Sequence, residues 1–200
     1  EVTQAQWEIV MGSNQVGFQG AVRPVEKVSW DDATAFCRKL TEMEKEAGRL
    51  PEGWAYQLPT EAQWEYACRA GSKSTWSFGG DASKLHLHGN YADSRQQNIV
   101  KWADSQHDDG HKNTAPVGSY SPNRWGFHDM HGNVWEWCRD FYGEYPTQPV
   151  RDPMGSATGS KRIVRGGGWV NKAAFTRSAI RDGNMPSKRV NDIGFRCSFQ

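Results

Sequence analysis

Twelve residues, Gly126 to Trp137, constrain this chain more than any other stretch. They hold two tryptophans, two histidines, two carboxylates and two glycines. That is too polar for a core strand, and two interior glycines argue against a plain helix. Aromatics interleaved with oxygen donors on a glycine-punctuated backbone predict a turn that presents carbonyls and carboxylates inward. Hard cations such as calcium prefer that ligand set. On spacing alone, an aromatic cluster with solvated acids is the simpler reading.

Ten tryptophans and 21 glycines in 200 residues extend the theme. They predict a fold rich in turns and held by aromatic anchors. A hydrophobic content of 36% suits one domain over residues 1–200. Glu1-Val2-Thr3-Gln4 reads as the interior of a domain, with an upstream segment cut away, so localisation is left open. Export, or a bacterial periplasm, is compatible with it. A net charge of +1 without a basic stripe argues against nucleic acid. No apolar run approaches the roughly 20 residues that a membrane span needs. Cys37, Cys68, Cys138 and Cys197 form no C-x-x-C, so a zinc site is not expected. Their even number permits disulfides without showing them.

Three capping boxes organise the first third: Thr3 to Gln6, Ser29 to Asp32 and Thr60 to Gln63. The second precedes Ala33, Phe36, Cys37, Leu40 and Met43 at helical spacing, ending near Gly48. The third opens a helix that stops at Gly71. From Ser72 to about Pro122 periodicity disappears, apart from short strands expected at Trp76–Phe78 and Pro116–Tyr120. So long a loop inside a compact domain needs something other than periodic packing, and bound ions are one candidate. Further strands are expected at Tyr56–Leu58, Arg162–Arg165 and Ile193–Phe199. Gly143 to Lys161 is a second irregular span. Gly166-Gly167-Gly168 lacks the Lys-Ser/Thr of a phosphate loop, and suits close backbone approach or unusual dihedrals.

Several motifs then fall in one order: Glu1-Val2-Thr3-Gln4, Val28-Ser29-Trp30-Asp31-Asp32-Ala33 and Leu58-Pro59-Thr60-Glu61-Ala62-Gln63-Trp64-Glu65-Tyr66. Ala115-Pro116-Val117, Gly132-Asn133-Val134-Trp135-Glu136-Trp137, Arg165-Gly166-Gly167-Gly168-Trp169 and Ile193-Gly194-Phe195-Arg196 complete the set. Together they resemble the sulfatase-modifying factor (formylglycine-generating enzyme) family over essentially the whole chain. The resemblance implies an irregular α+β domain of low regular secondary structure, distantly like C-type lectins, with calcium as a structural ion. One calcium site would use the side chains of Asn90 and Asp109 with the carbonyls of Tyr91 and His111. A second would use the side chains of Asp129 and Glu136 with the carbonyls of Gly132 and Val134. It also implies a Cys37–Cys197 disulfide. Cys68 matches half of another pair whose partner position is Ser178, leaving it free or paired with Cys138.

The family's enzymes oxidise a substrate cysteine with oxygen through two cysteines that bind copper(I). Soft thiolates suit that ion. Here the stretch Trp169 to Gly194 contains no cysteine, the candidate equivalents are Asn171 and Thr176, and the motif's serine is Gly168. Copper, and formylglycine generation by the known mechanism, are therefore not expected. The resemblance leaves a groove around Trp135, Trp169 and Asn171, with Gly168, Thr176 and Arg181 as further ligand-binding candidates. It would take a peptide, a protein or a small molecule, as in a pseudoenzyme. The alternative is an oxygen-dependent oxidoreductase of the same family with altered chemistry, and a third reading is a subunit that docks on an active paralogue. Arg177 and Arg181 read better as structural ion pairs than as a displayed surface. The six histidines are scattered over loops, and no serine has a nucleophile-elbow context.

Overall fold

The structure is a computed structural model that describes residues 1–13 and 15–200. Each capping box starts a helix. Thr3, Ser29 and Thr60 accept hydrogen bonds from the third helical N–H of α1 (Gln4–Met11), α2 (Trp30–Glu46) and α3 (Glu61–Arg69). In each, the third helical side chain bonds back to the cap's own N–H, satisfying two otherwise orphaned donors. The third helix stops one residue before the expected glycine, because Ala70 itself turns left-handed at φ 45°.

Helix α2 buries Ala33, Phe36 and Cys37, and packs Leu40 and Met43 on the same core. Phe36 stacks on Trp7 at 5.6 Å between ring centroids and meets Phe195 edge-on at 5.3 Å. Burying one such ring contributes roughly 1.5–3 kcal/mol. A smaller core gathers Trp64, Cys68, Met130, Cys138 and Ile163 between α3 and the sheet.

The main sheet has four strands: β2 (Trp135–Phe141), β3 (Arg162–Arg165), β4 (Arg181–Asn184) and β5 (Ile193–Gly194), in the order β4-β3-β2-β5. Strand β5 runs parallel to β2, and the other pairs are antiparallel. A two-stranded sheet joins β1 (Tyr56–Gln57) to β6 (Ser198–Phe199).

Several expectations need correction. The aromatic stretch is a turn only as far as Val134; from Trp135 onward it is the central strand β2. Its polar residues survive there because they are partnered. Glu136, fully buried, receives the Trp64 indole N–H at 2.6 Å and the Arg196 guanidinium at 2.5 Å. The expected strand Ile193–Phe199 splits between the two sheets. Strand β4, Arg-Asp-Gly-Asn, was hidden because it carries no apolar side chain and is ordered by its backbone pairing with β3. Trp76–Phe78 makes a single bridge, Trp76 to Gly79. Pro116–Tyr120 is a turn, because Pro116 has no N–H and Gly118 turns back at φ 81° to donate to Asp129. Among the described residues no helix is long and apolar enough to cross a membrane.

Candidate functional site

Backbone packing fastens the long irregular span to the aromatic turn. A Cβ on Gly89 would lie 1.7 Å from the His131 carbonyl oxygen, and one on Gly132 would lie 1.9 Å from that of Asn90. Only glycine fits either place, and Gly132 also needs its φ of 106°. Asn133 donates its N–H to the Asn90 carbonyl at 2.8 Å, while its own amide oxygen takes the Ala115 N–H at 2.8 Å.

Around this junction lie both expected cation sites. At the first, the Asn90 amide nitrogen donates to Asn113 and Asn133, but its buried Oδ1 has no hydrogen-bond partner among the described residues. Asp109 accepts the Tyr91 N–H at 3.0 Å and the His111 N–H at 2.9 Å. The His111 carbonyl takes the Gln96 amide at 3.2 Å. Asp93 accepts the Asp109 N–H, and carboxylate oxygens of Asp93, Asp108 and Asp109 lie within 4.8 Å of one another. Burial pushes the Asp109 carboxyl up to about 7. Asp93 was missed by the sequence reading, although Asp93 to Gln96 has the form of a further capping box and caps a short turn here.

At the second site Asp129, held left-handed at φ 57°, accepts the Gly118 N–H through Oδ2 at 2.7 Å. Its Oδ1 is buried without a partner among the described residues. Both oxygens of Glu136 face Arg196, at 2.5 and 2.6 Å; Oε2 also accepts the Trp64 indole N–H, so only Oε1 keeps a second lone pair. Glu1 closes the same junction by accepting from the Asn133 amide at 2.6 Å. Calcium fits this chemistry: hard oxygen donors, two of them orphaned, in a buried setting. Asn90 and Asp109 would hold one ion, Asp129 and Glu136 the other, and the ions would give Asn90 Oδ1 and Asp129 Oδ1 the partner they lack, while Glu136 is already paired with Arg196.

The groove residues divide. The Asn171 amide oxygen takes the Trp135 indole N–H at 2.7 Å and the Gly168 N–H at 2.9 Å. Trp169 lies beside them, donating to the Asn191 carbonyl at 3.1 Å and meeting Phe18 edge-on. Trp102, half exposed, donates to the Val170 carbonyl at 3.1 Å and adds an aromatic rim that the sequence did not signal. Gly166 and Gly167 both have positive φ, and a Cβ on Gly167 would lie 2.7 Å from the Phe175 carbonyl. Thr176 and Arg181 stand apart from this group. Thr176 is wholly buried and bonds to Trp76 and Ala173. Arg181 pairs with Glu61 at 2.8 Å, sits between the rings of Tyr142 and Tyr145, and lines a different cavity. Arg177 donates to the Ala174 carbonyl.

Copper(I) does not fit. The atoms at the two candidate positions are an amide oxygen and a hydroxyl, both already hydrogen-bonded, and neither is a soft thiolate. The Cys37 and Cys197 sulfurs lie 3.6 Å apart as free thiols. Cys68 and Cys138 are buried free thiols in the Trp64 cluster, and burial pushes that of Cys68 up to about 12. Among the histidines, His131 is buried and burial draws it down to about 4. Its Nδ1 bonds to the Thr176 carbonyl and its Nε2 accepts the Ser77 N–H, so its role is to brace loops.

Known proteins can now be set beside this geometry. A family profile described as "Sulfatase-modifying factor enzyme 1-like domain" matches residues 1–200. The "Formylglycine-generating enzyme" of Streptomyces coelicolor is 38% identical over 184 residues, covering 88% of this chain and 52% of the relative. The mouse "Inactive C-alpha-formylglycine-generating enzyme 2" is 30% identical over 185 residues, covering 88% of this chain and 48% of the relative. The chain thus spans about half the length of these curated relatives. Among solved structures, "Treponema denticola variable protein 1" superposes with a TM-score of 0.83 at 29% identity, covering 98% of this chain and 81% of that one.

Proposed function

The chain belongs to the sulfatase-modifying factor family, and within it we propose a calcium-stabilised, non-catalytic member that binds a peptide, protein or small ligand. The groove around Trp135, Trp169 and Asn171 would receive that ligand. One observation carries this reading. Asn171 stands where the resemblance expects a copper-binding cysteine, and its amide oxygen is committed to the Trp135 indole and the Gly168 N–H. On this reading Asn171 would form part of the groove wall, with Trp135 and Trp169 each 6% exposed. A side chain so held orients Trp135, but offers no thiolate to a metal. A relative named as inactive supports the existence of such members. The orphaned Asn90 and Asp129 oxygens support the calcium.

A second reading, an oxygen-dependent oxidoreductase with altered chemistry, is favoured by the 38% identity to a protein named as an enzyme. One experiment separates the two. The calcium-loaded protein is titrated with copper(I), then assayed for oxygen uptake with a cysteine-containing peptide. Neither tight copper binding nor oxygen uptake is expected. Tight copper together with peptide-dependent oxygen uptake would reverse the assignment.

A further inference from the structure

Away from the groove and the cation sites, a cavity of about 830 Å³ opens between the outer face of α3 and the loop that follows β2. We propose that this cavity is a second ligand site, for an organic cation carrying an aromatic or apolar body.

Its size falls within the roughly 300–1,000 Å³ of ligand pockets, and its walls have their composition. Tyr66, Tyr145, Val150 and Met154 all line it and all remain exposed, between 54% and 70%. So much apolar and aromatic surface around one hollow suits an apolar ligand body.

The charge of the lining sets the sign of the ligand. Four carboxylates face the cavity, on Glu61, Glu65, Asp140 and Glu144, against two guanidiniums, on Arg69 and Arg181. Glu61 is paired with Arg181 at 2.8 Å and Glu65 with Arg69 at 2.7 Å, and the buried Arg165 behind the wall pairs with both glutamates. The remaining two acids, Asp140 and Glu144, have no cationic partner among the described residues. Asp140 is only 4% exposed. Its carboxylate accepts the Glu61 N–H at 2.8 Å and its own backbone N–H, but forms no ion pair among the described residues. A buried carboxylate without a paired cation is costly, and an ammonium entering the cavity would supply one. Burial and the neighbouring Glu61 charge push the Asp140 carboxyl up.

Tyrosine faces favour the same ligand. Arg181 already lies 4.2 Å from the Tyr145 ring centroid, which shows that this aromatic wall accepts a cation. An anion would meet unpaired carboxylates, and a neutral ligand would leave Asp140 without a paired cation.

The test uses two probes of similar body and opposite charge, phenethylamine and 3-phenylpropionate, titrated into the folded chain and followed by ligand-observed NMR. The amine should bind at least tenfold more tightly than the carboxylate. Asp140→Asn keeps an acceptor for the Glu61 N–H and should weaken the amine at least fivefold. Met154→Trp places a large side chain at the exposed wall and should abolish binding, which keeps the test decisive if the Asp140 variant folds poorly. Ile9→Ala, on the exposed face of α1 and outside the cavity lining, should leave amine binding unchanged. No binding of the amine, equal binding of both probes, or amine binding indifferent to Met154→Trp would each overturn the proposal.

Discussion

Residues 1–70 and residues 72–134 solve the same packing problem with different materials. In the first, Trp7 and Phe36 stack and α2 turns one apolar stripe inward against Phe195 and Trp137. The second has one small apolar cluster around Trp76, Leu85 and Tyr91. Beside it and separate apolar residues such as Ala115, Met130 and Val134, it buries many polar groups, among them Asn90, Asp93, Gln96, Thr114, Asp129 and Asn133. Apolar burial is tolerant, because it asks only for shape and volume. Polar burial demands a partner for every atom, and among the described residues Asn90 Oδ1 and Asp129 Oδ1 have none, nor do Glu26 Oε2 and Thr34 Oγ1 in the helical part. On the proposed reading, calcium would supply the partner that the two loop oxygens lack.

The largest expected effect strikes the seam between them. Gly132→Ala would drive a Cβ to 1.9 Å from the Asn90 oxygen at a φ of 106°, costing on the order of 5 kcal/mol. Chemical denaturation should show it; a loss below 1 kcal/mol would mean that the two backbones slide apart freely. Phe36→Ala in the helical part should cost about 4 kcal/mol. That cost should be equal with and without calcium, and a calcium-dependent cost would erase the contrast between the parts.

Third comes the Cys37–Cys197 pair, 160 positions apart in sequence. If the two thiols oxidise to a disulfide, Cys37→Ser should lower the stability of the oxidised protein by about 3 kcal/mol and leave the reduced protein nearly unchanged. Equal melting temperatures for the two oxidised proteins would remove the disulfide. Removing calcium from a protein held at about a hundredfold its dissociation constant should cost roughly 2.7 kcal/mol. An unchanged melting temperature in EDTA would count against the ion.

Smallest is Asp32→Asn. Burial opposes ionisation of Asp32, but Arg189 and Ser29 together hold its carboxyl below the ordinary value. A lowered carboxylate stabilises the fold above its unfolded pKa, and that contribution is lost as pH falls through the lower folded value. The variant should therefore lose under about 1 kcal/mol at pH 7, and less as the pH falls through the lowered folded value. A penalty that stays constant with pH would show that the ion pair contributes nothing.

The same contrast explains what the sequence made legible. Helix starts at Thr3, Ser29 and Thr60 were readable because a cap is a local bond between neighbours in sequence. The stripe Phe36, Cys37, Leu40 and Met43 was readable because its period is that of the helix. Strand β2 was not, because Glu136 looks unfit for a core until Arg196, sixty positions away, is brought to it. Strand β4 was invisible for a related reason: its pairing with β3 supplies the order that its own side chains do not. Asn171 could be singled out by the cysteine it lacks, but its grip on Trp135 could not. The isolation of Thr176 and Arg181 from the groove likewise depends on contacts with Trp76 and Glu61 that no local pattern encodes.

Amide hydrogen exchange in calcium and in EDTA tests the central claim most directly. Calcium should raise protection at least tenfold for the Tyr91, Asp109, His111 and Asn133 amides, all of which bond at the cation sites. The amides of α2 should show little change. Identical exchange at those four amides in the two conditions would contradict the account, because the orphaned oxygens would then be satisfied without the ion.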